Sequence, residues 1–195
     1  MADVAENKVE YGLRNAHYAM ATYDETTRKM TFDTPVRIPG AVSLSLDPSG
    51  ETVKFKADDI DYYMNNNNQG YEGTLTVARA TDKFKQDVLG EEKTTDGVLL
   101  ENADAQIKHF ALLFEFQGDK KAIRHALYYC TASRVSESSK TKEDGNPNTT
   151  DIKITASPRP DNMLVKARTT PGIEGATYDG WYKAVYEKTT EVAEV

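Results

Sequence analysis

The chain holds a single cysteine, Cys130, among 195 residues, which excludes an internal disulfide framework and any zinc site built on cysteines. Long apolar runs are also missing. The longest uninterrupted one spans residues 110–114, far short of the roughly 18 residues a membrane helix needs, so no membrane insertion is expected. The opening Met1-Ala-Asp-Val-Ala-Glu is acidic where an export signal would be basic, and the lone cysteine predicts folding in a reducing compartment. Positive charge is in short supply: 24 Lys and Arg stand against 31 Asp and Glu, a net charge of −7. Gripping a nucleic acid through its phosphates needs clustered cations, so DNA, if it is a partner, is not gripped. None of the 12 glycines gathers into a phosphate cradle, and there is no nucleophile elbow, Walker loop or dinucleotide turn. The common nucleotide-using and acyl-transfer enzyme classes drop out.

What the chain does have is alternation of apolar and polar residues with period two, the mark of strands with one buried face. The expected fold is mainly β: a single-domain β-sandwich or open barrel with one flanking α-helix. Residues 42–46 and 53–57 flank Asp47-Pro48-Ser49-Gly50, whose residue types suit a type I turn, and the flanks are expected to pair as a hairpin. A strand over 73–77 follows the asparagine run Asn65–Asn68, which reads as a loop. Thr81 is placed to cap a helix over about 81–89, with Phe84 and Val88 on one face and Gly90 as a left-handed stop. Residues 110–116 and 123–129 form an expected second hairpin, and 152–156 with 163–167 an expected third pair. The polar stretch 136–148 reads as a mobile loop. Residues 1–10 and the acidic end 187–195 read as flexible arms around a domain over 11–186. The stripe Tyr178, Trp181, Tyr182, Val185 fits a helix or a strand.

Groups that could carry chemistry are scattered. His17, His109 and His125 lie on separate expected strands without metal-ligand spacing, and a histidine so placed is most often a packing residue. Asp58-Asp59-Ile60-Asp61 lacks the glycine and distal glutamate of a calcium loop and reads as a solvated strand end. Cys130 follows Tyr128-Tyr129 in an apolar strand, which predicts a buried, unreactive thiol. No residue set asks for a cofactor or a resident metal. Tyrosine is the one enrichment, with 11 copies, and its ring, apolar on one end and hydrogen-bonding at the other, suits protein interfaces.

Several ordered blocks carry a resemblance: Lys8-Val-Glu-Tyr-Gly-Leu-Arg-Asn-Ala-His-Tyr-Ala19, Pro35-Val-Arg-Ile-Pro-Gly-Ala-Val-Ser-Leu-Ser-Leu-Asp-Pro-Ser-Gly-Glu51, Gly70-Tyr-Glu-Gly-Thr-Leu75, Phe110-Ala-Leu-Leu-Phe-Glu-Phe116 and Thr141-Lys-Glu-Asp144. Together they resemble the major tail protein of long-tailed bacteriophages, the siphoviruses, which is the subunit of the tail tube. The likeness runs from Lys8 to about Tyr186 and includes no catalytic signature. It implies a virion protein without enzymatic activity, made and assembled in the host bacterial cytoplasm. Six copies would close into a ring, and rings would stack into the conduit for DNA ejection. Strands of all six copies would line the lumen, while termini and loops bridge successive rings. The implied partners are the chain itself and other tail proteins, namely tape measure, initiator and terminator; no cofactor is implied.

On that footing the expected hairpin 41–57, with Ser43, Ser45, Lys54 and Lys56, faces the lumen or a neighbouring subunit. Asn65, Asn66, Asn67, Asn68, Lys140, Lys142 and Glu143 are expected to bridge rings. A duplex carries one charge per roughly 1.7 Å, so a basic wall would trap it and a conduit should be acidic or neutral. The net charge of −7 has that sign, whereas Lys54 and Lys56 do not. Two rival readings differ in class. One is a β-sandwich module that binds carbohydrate or another cell-surface ligand, with Trp181 and exposed tyrosines stacked on sugar rings. The other is a hydrolase using Asp58, Asp59 or His125.

Overall fold

A computed structural model describes residues 6–139, 141, 145 and 147–188. The first seven strands are β1 (Glu10–Asp24), β2 (Lys29–Phe32), β3 (Val36–Arg37), β4 (Ala41–Ser49), β5 (Thr52–Ala57), β6 (Ile60–Asn66) and β7 (Gly70–Val77). A helix α1 (Asp82–Phe84) continues as a π-helical stretch (Lys85–Leu89). Then come β8 (Glu92–Lys93), β9 (Leu99–Leu100), β10 (Phe110–Gly118), β11 (Ile123–Ala132), β12 (Thr150–Ser157), β13 (Lys166–Arg168) and a short helix α2 (Ala176–Asp179).

One antiparallel sheet in the order β2-β1-β10-β11-β12-β7-β4 forms the body, with β3 added to β1 and β13 to β11. Register shifts in β1 between Tyr11 and Leu13 and between Arg14 and His17, with Asn15 at φ 50, increase its twist and bend it. The sheet therefore curls until β4 packs back against β1, as in an open barrel. Inside the curl lie Tyr18, Leu75, Val77, Phe110, Leu112, Phe114, Leu127, Ile152 and Ile154. The helix plugs this interior with Phe84, Val88 and Leu89, and Phe84 meets Tyr18 and Phe110 edge-on at 5.2 and 5.8 Å. Thr81 caps it by accepting from the Phe84 amide at 3.2 Å, and Gly90 ends it at φ 77, as the sequence predicts.

β10 is buried on both faces, which explains why residues 110–114 form an unbroken apolar run rather than alternating. Its outward Ala111 and Leu113 join Ala19, Ala126 and Tyr128 in a second cluster, covered by Trp181 and Val185 from the segment after α2. That segment is mostly turns, so the aromatic stripe is neither a long helix nor a strand. Trp181 is 3% exposed and donates its indole N–H to the His125 carbonyl at 3.3 Å. It is a lid on the sheet and is unavailable for stacking on a sugar.

Two expected pairings are corrected, and one holds. β10 and β11 form the expected hairpin. β4, however, does not pair with β5: it runs straight through Asp47, Pro48 and Ser49 and pairs with β7 from Ala41↔Val77 to Ser49↔Gly70. Pro48 is tolerated because β4 is an edge strand with no ladder on its other side. β5 pairs instead with β6, around a turn at Asp58 and Asp59. The stretches 152–156 and 163–167 do not pair with each other, since β12 and β13 both add to β11. Of the asparagine run, Asn65 and Asn66 belong to β6 and only Asn67 and Asn68 lie in the link to β7.

Residues near both limits of the described chain are tied to the body. Asn7 donates to the Lys121 carbonyl at 2.7 Å and accepts from the Lys121 amide at 3.1 Å, tying the entry of β1 to the β10–β11 turn. Glu187, expected in a flexible end, is held by Arg159. Lys140, Lys142 and Glu143 lie outside the described residues.

Candidate assembly surfaces

The β5–β6 hairpin leaves the body between two paired residues of the main sheet, Ser49 and Gly70, and forms a two-stranded sheet of its own. Asp58 and Asp59 sit at φ 51 and 60, the left-handed pair of a two-residue hairpin turn, a conformation aspartate tolerates better than most residues. Cross-strand partners share a face, so Val53 with Asn65, Phe55 with Tyr63 and Ala57 with Ile60 form one side. That side is almost wholly apolar. The other carries Thr52, Lys54, Lys56, Asp61, Met64 and Asn66, knit by a Lys54–Asp61 ion pair of 2.9 Å and a Thr52–Asn66 hydrogen bond of 2.7 Å. Phe55 is 59% and Ile60 61% exposed, so the apolar side covers nothing in its own chain. A lone two-stranded hairpin is marginal in water, and this one also leaves both outer backbone edges open.

The second surface is the outward face of β4, β7 and β12. The registers align Ser43, Thr76 and Asp151 in one row, Ser45, Thr74 and Lys153 in the next, and Asp47, Glu72 and Thr155 in a third. The alternate residues Leu44, Leu75 and Ile152 face the core. Three carboxylates, one amine and five hydroxyls thus make a polar, net acidic plane, and Thr76 donates to Asp151 at 2.7 Å. The predicted Ser43 and Ser45 lie on this plane, while Lys54 and Lys56 sit on the hairpin, a different sheet.

Two buried ionic nodes hold the body together. Arg159, 2% exposed, makes bidentate contacts to Asp161 at 2.9 and 2.7 Å and to Glu187 at 2.8 and 2.9 Å. Its guanidinium also lies over the rings of Phe32 and Tyr128, at 5.2 and 5.1 Å. Burial alone would raise the Asp161 carboxyl, but the adjoining guanidinium outweighs it and holds this acid below the usual carboxylate range. Buried Glu115 accepts from Asn15 at 2.8 Å, Arg124 at 3.2 Å and Tyr182 at 3.1 Å, binding β1, β10, β11 and the C-terminal segment at one node. Sequence reading missed both nodes. The available signal for the first was a lone arginine between two prolines with an aspartate two residues on.

The candidate chemical groups do not converge. Asp58 and Asp59 are at the exposed hairpin tip, whereas His125 is buried against Phe114, ring on ring at 5.0 Å. Burial, and then Lys166 and Arg168 nearby, push His125 down to about 4. Burial pushes the Cys130 thiol up to about 12, as expected for a core residue. No cluster of three or more His, Cys, Asp or Glu side chains that could hold a metal ion occurs among the described residues.

The fold and these surfaces define a mainly β protein whose distinctive features among the described residues are an uncovered hairpin and a polar sheet face. The phage tail tube protein family matches residues 1–192, and the chain belongs to that family. It is a structural tail tube protein. No curated protein matches the sequence. Among solved structures it is similar to the tube-terminating cap of the anti-feeding prophage, at 12% identity and a TM-score of 0.47, over 87% of this chain and 99% of that one. It is similar also to a chain of the extended sheath–tube complex of the PVC extracellular contractile injection system, at 12% identity and a TM-score of 0.49, over 84% of this chain and 93% of that one. The sheath/tube terminator of the PVC system aligns at 13% identity and a TM-score of 0.49, over 83% and 99%. The assignment rests on the family match.

Proposed function

We propose that the chain self-assembles into rings of six that stack into the tail tube of a siphovirus or prophage, forming the conduit for DNA ejection. The observation that carries this is the β5–β6 hairpin: an amphipathic two-stranded sheet with its apolar side in water is completed only by another molecule. A second copy is the occupant that a tube family supplies. The β4–β7–β12 face is the lumen wall in this reading. Its hydroxyls hydrate the channel, and its three carboxylates to one amine repel the duplex weakly enough to let it slide. Ser43 and Ser45 stay on the wall, and Lys54 and Lys56 come off it, which removes the sign conflict in the sequence reading. The tape measure, initiator and terminator are the other partners, DNA passes without specific binding, and assembly takes place in the bacterial host cytoplasm.

The test is electron microscopy of the full-length chain with its tail initiator, comparing wild type with the pair Phe55→Ser and Tyr63→Ser. Both side chains are exposed, so the monomer's melting temperature should hold, while tubes disappear. Smooth monomers from wild type, or normal tubes from the double variant, would count against the reading.

A further inference from the structure

Resting on that reading, we infer where the hairpin goes: its acidic tip enters a basic pocket at the β1–β4 seam of a second copy placed head to tail. The pocket has a volume of about 450 Å³ and is bounded by Arg14, Asn15, Arg37, Ile38, Gly40 and Ala41. Arg14 and Arg37 are exposed, and neither has an ion pair among the described residues. The one carboxylate on the pocket floor, Glu115, is already matched by Arg124 and two further donors. The local field therefore favours an incoming anion.

Asp58 and Asp59 are the complementary charges. They too are exposed and have no ion pair among the described residues, unlike Asp61, which is taken by Lys54. The left-handed turn puts the two carboxylates at the extremity of a hairpin whose strand β5 alone is six residues, about 20 Å, long. Location decides the mode of contact. The hairpin departs at the Ser49 end of β4, and the pocket lies at the Ala41 end of the same strand. Nine residues of extended strand, about 30 Å, separate the root of the hairpin from the pocket, and arms of about 20 Å are too short to fold back over that span, so a chain does not fill its own pocket. A donor at one end and an acceptor at the other make a heterologous contact, which closes into a ring or propagates as an open stack according to the rotation between copies, and the end-to-end placement along β4 favours the stack. This is the geometry of ring stacked on ring: it gives the stack a polarity, and its opposite charges offset locally the net repulsion between chains of charge −7.

The experiment uses full-length protein with the tail initiator and measures the concentration at which tubes pellet. Asp58→Asn with Asp59→Asn removes both charges and keeps residue types that accept the left-handed turn. A roughly tenfold rise in that concentration is expected from losing two exposed pairs per contact, and the wild-type value should rise with ionic strength. Arg14→Glu with Arg37→Glu should abolish tubes. Combining it with Asp58→Asn and Asp59→Lys should restore them, while circular dichroism verifies that each variant stays folded. Unchanged pelleting in both charge variants, or no rescue by the combination, overturns the pairing while leaving the tube reading intact. Wild type that forms no tubes overturns both.

Discussion

Arg159→Met should lower the stability of the monomer by about 3 to 4 kcal/mol. The guanidinium is 2% exposed and is paired with a carboxylate, Asp161, that is itself only 13% exposed. Removing one partner of a buried pair leaves the other charge without compensation, which costs about 3 to 5 kcal/mol. Glu187 adds little, because at 47% exposure water replaces most of what the arginine gave it. Methionine fills the volume of the arginine stem but gives up the guanidinium's contacts over Phe32 and Tyr128, so the change reports on charge, including those cation–π contacts. In a domain of this size, 1 kcal/mol shifts the melting temperature by about 2 to 4 °C, so the expected drop is about 10 °C in a circular dichroism melt of dilute protein. Adding Asp161→Leu to the same chain should recover more than half of it, since a matched apolar pair avoids the stranded charge. The sign with pH follows from the lowered Asp161 carboxyl. A depressed acid stabilises the fold above its unfolded pKa, near 3.8, and loses that contribution as pH falls through the lower folded value. The difference between variant and wild type should accordingly shrink under strong acid. A melt within about 2 °C of wild type at neutral pH would refute the assignment of this clasp as a structural anchor.

Two further outcomes test the body of the fold. His125 is driven down to about 4 from 6.5, so the unfolded chain binds a proton that the folded one refuses between those values, and stability should fall by about 2 to 3 kcal/mol on acidification across that window. His125→Phe, which keeps a ring beside Phe114, should flatten that part of the denaturation profile; an unchanged pH slope would sink the argument. At Gly73 an added Cβ would come 2.0 Å from the Ser45 carbonyl oxygen, so Gly73→Ala must pry β4 off β7. About 3 kcal/mol of destabilisation and loss of tubes are expected, read by urea titration and electron microscopy.

Local chemistry was legible in the sequence and partner choice was not. The Thr81 cap, the Phe84 and Val88 face and the Gly90 stop lie within one short segment, and each appears where the residue types require it. The β10–β11 hairpin was equally clear, because its strands are neighbours in the chain. β4 failed for the opposite reason. Its partner β7 lies beyond an inserted hairpin, and Asp47-Pro48-Ser49 has turn chemistry that an edge strand tolerates. Asp58-Asp59 reads in sequence as a solvated strand end, but it is the true turn, standing between the alternating Val53 and Phe55 and the apolar Ile60. Ser43 and Ser45 alternate with Val42, Leu44 and Leu46, which marks one face of a strand, but the rows they form with β7 and β12 depend on register, which period-two alternation leaves open.

The β5–β6 hairpin exits and re-enters at Ser49 and Gly70, two residues already opposite one another in the ladder. Residue pairs can thus be added to or removed from its two arms without shifting any contact in the closed part of the protein. Such a protrusion is a segment of adjustable length, and in the proposed stack editing it would alter the axial spacing while the same barrel is inherited.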